Sequence, residues 1–317
     1  MSFTILGTGH YVPPRVVKNE ELSQYVDTSD AWITQRVGIK ERHVCTNETT
    51  TDLAYEAAMR ALENSGTAPE ELDMILCATV SGDYVTPSLA CMVQNRIGAT
   101  CPAMDINAAC SAFLFLLDTA AGFFARKRVK KMLLVGAERM SRIVDWEDRS
   151  TCVIFGDGAG AVVLGEGDGY LAAKFHTHGG DEVIQVPCSN GKSPFCTRDA
   201  VFPYIYMNGA ETYKFAVTSM SRDLNDVLQQ AGLKGDEIAA VIPHQANARI
   251  IAAAKKQVSI PADRFYVNID RYGNTSAASI PIALDELNRS GKLRRGDYLA
   301  MCAFGGGLAG AACILRW

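Results

Sequence analysis

The sequence predicts an α/β fold built from two similar halves, and two observations carry that prediction. Short apolar, β-branched runs alternate with longer stretches of helical periodicity along most of the chain. A glycine-rich run also returns late: FGDGAGAVVL, starting at Phe155, resembles FGGGLAGAACIL, starting 149 residues later at Phe304. Each half is therefore expected to end in a glycine-rich hairpin, with halves spanning 1–168 and 169–317.

The elements follow in order. DLAYEAAMRALENSG has the spacing of an amphipathic helix, MILCATV reads as a strand, and LACMVQNRIG as a second helix. The run from Ala108 to Ala125 is the most apolar in the chain, but it contains Asp118 and falls short of the roughly 20 residues that span a bilayer, so a buried helix is expected. KMLLVGAE and TCVIFGDGAGAVVLGE read as strands. In the second half, ETYKFAVTSMSRDLNDVLQQAG predicts a helix, AAVIPH a strand, ANARIIAAAKK a helix and TSAASIPIALDELNRSG another. Between Gly179 and Gly209 the pattern lapses into Gly, Pro, Ser and Asn, which predicts a long surface loop.

Composition narrows the function. The 317 residues are 48% hydrophobic, enough for a large core, and carry a net charge of -4, which excludes a general attraction to nucleic acid or anionic membrane. The opening MSFTILGTGHYVPP has no basic leader and is broken by Pro13 and Pro14, so a cytoplasmic location is expected. Ten cysteines, at 45, 77, 91, 101, 110, 152, 188, 196, 302 and 313, form no CxxC pair, and no metal site is expected.

One cysteine differs from the rest in its setting. Cys110, in MDINAACSAFLFLL, stands where a strand-like stretch gives way to a helix at about Ser111; a helix N-terminus favours a thiolate, while a buried structural thiol is the plainer alternative. His244, in VIPHQAN, ends a strand, the place where active sites of α/β folds collect, although a lone histidine there is often structural. Asn274 sits in a Gly-Asn turn, which favours asparagine for local reasons alone. Together the three supply a nucleophile and two neutral hydrogen-bond donors, a set suited to thioester chemistry.

The segments NAACSAF, PHQANARI, YGNTSAASIP and AFGGGLAG, with WITQRVGIKERH near the start and DRSTCVIFGDGAGA in mid-chain, resemble ketoacyl-acyl-carrier-protein synthase III of the thiolase superfamily. The likeness runs nearly end to end. It implies a duplicated five-layer αβαβα fold, a homodimer, and a ping-pong reaction in which Cys110 takes an acyl group from acyl-coenzyme A before malonyl-acyl carrier protein enters. Acyl-coenzyme A is then a substrate and no cofactor is needed. His244 and Asn274 would stabilise the enolate left by loss of carbon dioxide, and the backbone N–H groups of Cys110 and Gly306 would form an oxyanion hole.

By the same resemblance Trp32, Arg36 and Arg149 would contact coenzyme A, Asn208 and Asn247 the pantetheine channel, and Phe304 the space beside Cys110. Val37 stands where relatives often carry a hydroxyl. Arg249 and Lys256 lie seven apart on one helix face, and with Lys255 and Lys214 they would form a basic patch for the acidic carrier protein. Thr86 replaces a bulky aromatic that relatives extend into the neighbouring subunit's acyl pocket, an opening for longer or branched primers. Three rivals remain: a starter enzyme of polyketide or quinolone synthesis, a cysteine hydrolase, and a non-catalytic acyl-binding protein.

Overall fold

The computed structural model describes residues 2–188, 195 and 203–317. In chain order the strands are β1 (Ser2–Tyr11), β2 (Val16–Lys18), β3 (Glu41–His43), β4 (Met74–Ala78), β5 (Ala103–Asp105), β6 (Lys131–Arg139), β7 (Asp157–Gly167), β8 (Tyr170–Thr177), β9 (Ile184–Gln185), β10 (Tyr206–Met207), β11 (Ile238–Pro243), β12 (Tyr298–Gly305) and β13 (Ala309–Arg316). The α-helices are α1 (Asn19–Leu22), α2 (Asp30–Val37), α3 (Thr50–Ser65), α4 (Leu89–Ile97), α5 (Ala112–Ala125), α6 (Arg149–Cys152), α7 (Gly209–Ala231), α8 (Ala248–Lys255), α9 (Ile269–Tyr272) and α10 (Ser279–Arg289).

Two sheets dominate. The first has the order β1-β7-β6-β4-β5 and draws only on residues before 168; the second, β11-β12-β13-β8, draws only on residues after it. In the first, β4–β6 is parallel while β6–β7 and β7–β1 are antiparallel; in the second, β11–β12 is parallel while β12–β13 and β13–β8 are antiparallel. Four strands thus repeat in order and direction. The fifth, β5, has as its counterpart a single parallel bridge between Val241 and Phe265.

The period-2 alternation of side chains turns this pairing into layers. Ile75, Cys77, Leu133 and Val135 face outward beneath α3 and α4, while their neighbours Leu76, Ala78, Met132 and Leu134 face inward. That inner core is shared with α5, α10 and the inward residues Ile242, Leu299 and Met301 of the second sheet. On the far side of the second sheet, Val241, Ala300 and Cys302 pack against α7 and α8. Helices, sheet, helices, sheet, helices: the order is the five-layer αβαβα arrangement. Gly160 shows how tightly α10 is seated, since a Cβ there would lie 2.6 Å from the Ile282 nitrogen.

Helix ends follow local chemistry. Thr49 and Asp52 form a reciprocal capping box at the start of α3, and Gly66, at φ 63°, closes it in the left-handed region. Asn208 and Asn247 cap α7 and α8 through their side-chain oxygens. Among the described residues no helix is long and apolar enough to cross a membrane, and α5 is the buried helix expected for Ala108 to Ala125.

Two readings need correction. The glycine-rich echo aligns β7 with β13, but only the second half makes a hairpin there: β12 and β13 are joined by residues 306–308, whereas residues 140–156, with α6, separate β6 from β7. Phe304 lies within β12, while Phe155 precedes β7 and bridges only to Asn274. Gly179 to Gly209 is not wholly irregular either, since β9 and β10 pair across it. Cys196 and part of that segment, 189–194 and 196–202, fall outside the described residues.

Candidate active site

Cys110, His244 and Asn274 converge from three places on one cavity of about 160 Å³. Cys110 sits in a 3-10 turn, residues 109–111, that leads into α5. Ala109 before it has φ 47°, a left-handed conformation that costs a non-glycine residue energy and turns the chain sharply at the nucleophile. His244 follows β11, held by its N–H to the Cys302 carbonyl at 2.8 Å. Asn274 is fixed by its N–H to the Ile154 carbonyl at 2.9 Å and by its carbonyl, which accepts from Gly156 N–H at 3.1 Å.

His244 is 0% exposed, and burial depresses its pKa to about 3, so the ring is neutral at physiological pH. Its Nδ1 lies 2.6 Å from the Ser279 hydroxyl, which also accepts the Gln245 N–H at 3.3 Å. A Ser279 hydroxyl that gives its proton to Nδ1 leaves the ring proton on Nε2. Nε2 has no partner among the described residues. It is buried, and its residue lines the cavity. The Phe304 ring packs edge-on against the imidazole, centroids 5.4 Å apart, and excludes water from that side.

Asn274 is oriented in the same sense. Its Oδ1 accepts the Ser276 N–H at 2.8 Å, which leaves the amide N–H groups for the cavity. The remaining wall is largely apolar, with Ile154, Phe155, Ile205, Met207 and Ile250.

The thiol departs from expectation. Burial pushes the Cys110 pKa up to about 12; the Ser276 hydroxyl pulls it down and the Glu138 carboxyl pushes it further up, both by less. Loss of solvation outweighs the turn's position before α5, a helix-end effect worth about 0.3–1 kcal/mol at exposed sites.

The other sequence candidates are placed unevenly. The guanidinium of Arg149 lies 4.8 Å and that of Arg36 5.8 Å from the Trp32 ring centroid, so these three form one cluster. Asn247 lines the cavity and donates to the Arg36 carbonyl at 3.3 Å, which ties that cluster to the site. Asn208 uses its side-chain oxygen as the α7 cap; its neighbours Met207 and Gly209, rather than Asn208, line the cavity. Val37 is buried with Ile33 and Ile39, so a hydroxyl at that position would start inside a packed core.

Gly305, not Gly306, lines the cavity: a Cβ on Gly305 would lie 2.8 Å from the Cys110 nitrogen. Gly306 instead borders an adjoining open groove with Asn107, Ala108 and Ala109. Thr86 is exposed and outside the cavity, although Tyr84 and Val85 line that groove. Lys214, Arg249 and Lys256 are exposed. Lys255 is half-buried, its ammonium 5.3 Å from the Phe265 ring, so it does not share their open face.

Sequence reading missed three residues. Ser279 pairs with His244 Nδ1, Ser276 holds Asn274, and Glu138, fully buried near the end of β6, accepts from the Ser276 hydroxyl at 3.0 Å. The two serines stand beside Asn274 in NTSAAS, and a lone acid closing an apolar strand in KMLLVGAE was the signal for the third.

Comparison with known proteins agrees with this geometry. Family models described as 3-Oxoacyl-[acyl-carrier-protein (ACP)] synthase III and its C terminal match residues 104–179 and 228–317. A beta-ketoacyl-[acyl-carrier-protein] synthase III of Clostridium acetobutylicum is 46% identical, covering 100% of this chain and 99% of its own. The crystal structure of the Aquifex aeolicus VF5 3-oxoacyl-[acyl-carrier-protein] synthase III matches with a TM-score of 0.93 at 46% identity, covering 99% of this chain and 100% of that one. The priming beta-ketosynthase of the R1128 polyketide pathway matches with a TM-score of 0.91 at 33% identity, covering 99% and 96%. With such likeness over its whole length, and with cysteine, histidine and asparagine gathered in one cavity, the chain belongs to the beta-ketoacyl-[acyl-carrier-protein] synthase III family of condensing enzymes.

Proposed function

We propose that the protein initiates type II fatty-acid synthesis by decarboxylative Claisen condensation of an acyl-coenzyme A primer with malonyl-acyl carrier protein. The observation that carries this reading is a neutral His244 whose Nε2, unpartnered among the described residues, shares a largely apolar cavity with the Asn274 amide and the Cys110 thiol. Cys110 Sγ forms a thioester with the primer and coenzyme A leaves as the free thiol. Malonyl then loses carbon dioxide, and the electron pair of the broken C–C bond becomes an enolate whose oxygen accepts from His244 and Asn274. A neutral donor suits this charge, because it stabilises the oxyanion without a buried cation in the resting site. The enolate carbon attacks the acyl carbonyl, and collapse of the tetrahedral adduct releases 3-ketoacyl-acyl carrier protein and returns Cys110.

The remaining roles belong to the same proposal. Trp32, Arg36 and Arg149 hold the coenzyme A nucleotide, Asn247 and Asn208 the pantetheine arm, and Phe304 the cavity wall. The N–H groups of Cys110 and Gly306 stabilise the second oxyanion. Lys214, Arg249, Lys255 and Lys256 receive the carrier protein, with Lys255 the weakest because it leans on Phe265. The chain works as a cytoplasmic homodimer of duplicated halves, 1–168 and 169–317, without a cofactor, and Thr86 leaves room for primers larger than acetyl.

A polyketide starter role is the second reading, favoured by the likeness to the R1128 priming ketosynthase. Rates with malonyl presented on acyl carrier protein and on coenzyme A, each tested with acetyl-, hexanoyl- and isobutyryl-coenzyme A, separate the two. A strong preference for the fatty-acid carrier supports the proposal; indifference to the carrier contradicts it.

A further inference from the structure

Asn274 serves the enolate only while its side-chain amide points the right way. A half-turn of that amide would aim an acceptor, not a donor, at the developing charge. Among the described residues the group that holds Oδ1 is the Ser276 N–H, at 2.8 Å. Ser276 itself stands at φ 49°, in the left-handed region that L side chains rarely adopt, and such a residue persists only where its surroundings fix it.

Those surroundings lie on β6. A Cβ on Gly136 would meet the Ala277 carbonyl oxygen at 2.5 Å, so the turn of residues 276–278 rests directly on the strand. Two residues along the same face, Glu138 accepts the Ser276 hydroxyl on Oε1 at 3.0 Å. Its Oε2 accepts from Val80 N–H at 3.0 Å and from the hydroxyls of Thr79 and Ser81 at 3.2 and 2.5 Å, every donor uncharged, and the residue is 0% exposed. An apolar side chain would fill this space at less cost than a lone buried carboxyl group. What the carboxylate adds is a strong acceptor for the hydroxyl of the left-handed residue in the turn.

We propose that Glu138, through the Ser276 hydroxyl, fixes this turn and so keeps the Asn274 amide aimed at the cavity during decarboxylation. This rests on the enolate role given to Asn274 above. Glu138 touches no reacting atom and is a positioning residue: the carboxylate fixes a hydroxyl, and the residue so fixed presents its N–H to Asn274. Glycine separates this role from general support of the fold. Ser276→Gly loses the hydroxyl but enters the left-handed region freely and keeps the N–H, so its turn no longer depends on Glu138. Ser276→Ala loses the hydroxyl and keeps the conformational cost.

The test uses the full chain as wild type, Glu138→Gln, Ser276→Ala, Ser276→Gly, and Glu138→Gln combined with Ser276→Gly. Carbon dioxide release from malonyl-acyl carrier protein should fall about 10-fold in Ser276→Ala, about 3- to 10-fold in Glu138→Gln and only about 2-fold in Ser276→Gly, all below the loss of an oxyanion donor. Acyl addition to Cys110 should fall less than decarboxylation in Glu138→Gln, and Glu138→Gln should slow Ser276→Gly no further. Equal falls in both steps, a Ser276→Gly as slow as Ser276→Ala, or an undiminished Glu138→Gln loss in the glycine background overturns the proposal. A substrate-free measurement keeps it apart from the proposed function: the Asn274 side-chain amide signal in NMR spectra of asparagine-labelled protein, assigned by its absence in Asn274→Ala. Glu138→Gln should shift that signal in the Ser276 protein and leave it in place in the Ser276→Gly protein. A wild type that is never acylated and releases no carbon dioxide refutes the proposed function, and the signal then decides the positioning role: unmoved in Glu138→Gln, it overturns it.

Discussion

Ser279→Ala separates the two halves of the reaction. Its hydroxyl is the only partner of His244 Nδ1 among the described residues, at 2.6 Å in a fully buried site, and in the proposed reaction it supplies the proton that keeps Nε2 a donor. Removing it leaves Nδ1 buried and unpaired, a cost of about 1–3 kcal/mol, and leaves the ring free to place its proton on either nitrogen. Losing an oxyanion donor outright costs about 100- to 1,000-fold in rate. Losing only the group that holds the donor should cost less, about 10-fold, or roughly 1.4 kcal/mol. The assay measures carbon dioxide release from malonyl-acyl carrier protein and, separately, acyl addition to Cys110 by intact mass. Decarboxylation should fall about 10-fold with acyl addition unchanged. Unchanged decarboxylation, or an equal fall in both steps, would refute the assigned tautomer.

Gly305→Ala places a methyl 2.8 Å from the Cys110 nitrogen, so the nucleophile's turn must shift. Acyl transfer should drop at least 10-fold with a stability loss of about 1–3 kcal/mol in urea unfolding, and wild-type acylation would count against the close approach. Trp32→Ala removes the ring shared by Arg36 and Arg149. With each cation–ring contact worth about 0.5–1 kcal/mol, KM for acyl-coenzyme A should rise about 3- to 10-fold while kcat holds; a change in kcat alone would place the cluster elsewhere in the cycle. His244, with its pKa depressed from 6.5 to about 3, stabilises the fold fully above pH 6.5 and loses that contribution as pH falls toward 3. His244→Leu should therefore lose less stability than wild type between pH 6.5 and 4.5, by roughly 2 kcal/mol, and parallel urea curves at both pH values would contradict a buried neutral ring.

Residues whose role follows from chain position were the legible ones. Strand ends and helix starts bring Cys110, His244 and Asn274 together because duplicated β-α units aim those ends at one point, and the alternation of MILCATV and KMLLVGAE encodes the two buried faces of the first sheet. What depends on solvation was not legible. The helix-start argument favours a thiolate at Cys110, yet burial beside residues distant in sequence, such as Phe155, Ile205 and Phe304, raises the thiol instead. Lys255 reads as a surface charge because its partner Phe265 is ten residues away across a turn. The echo at Phe155 marks a real strand correspondence, but no local signal reveals that residues 140–156 intervene before β7. Glu138 reads as a strand-end acid until the turn at Ser276, more than a hundred residues on, closes over it.

The central claim is that Cys110 holds the acyl group while His244 and Asn274 generate the attacking enolate. Peptide mapping by mass after mixing the protein with acyl-coenzyme A, followed by a chase with malonyl-acyl carrier protein, tests it most directly. In wild type the acyl mass should appear on the Cys110 peptide and vanish in the chase as 3-ketoacyl-carrier product forms. In His244→Ala with Asn274→Ala the acyl mass should appear and persist. Acyl mass on any other cysteine, or its loss in the chase of the double variant at the wild-type rate, would contradict the account.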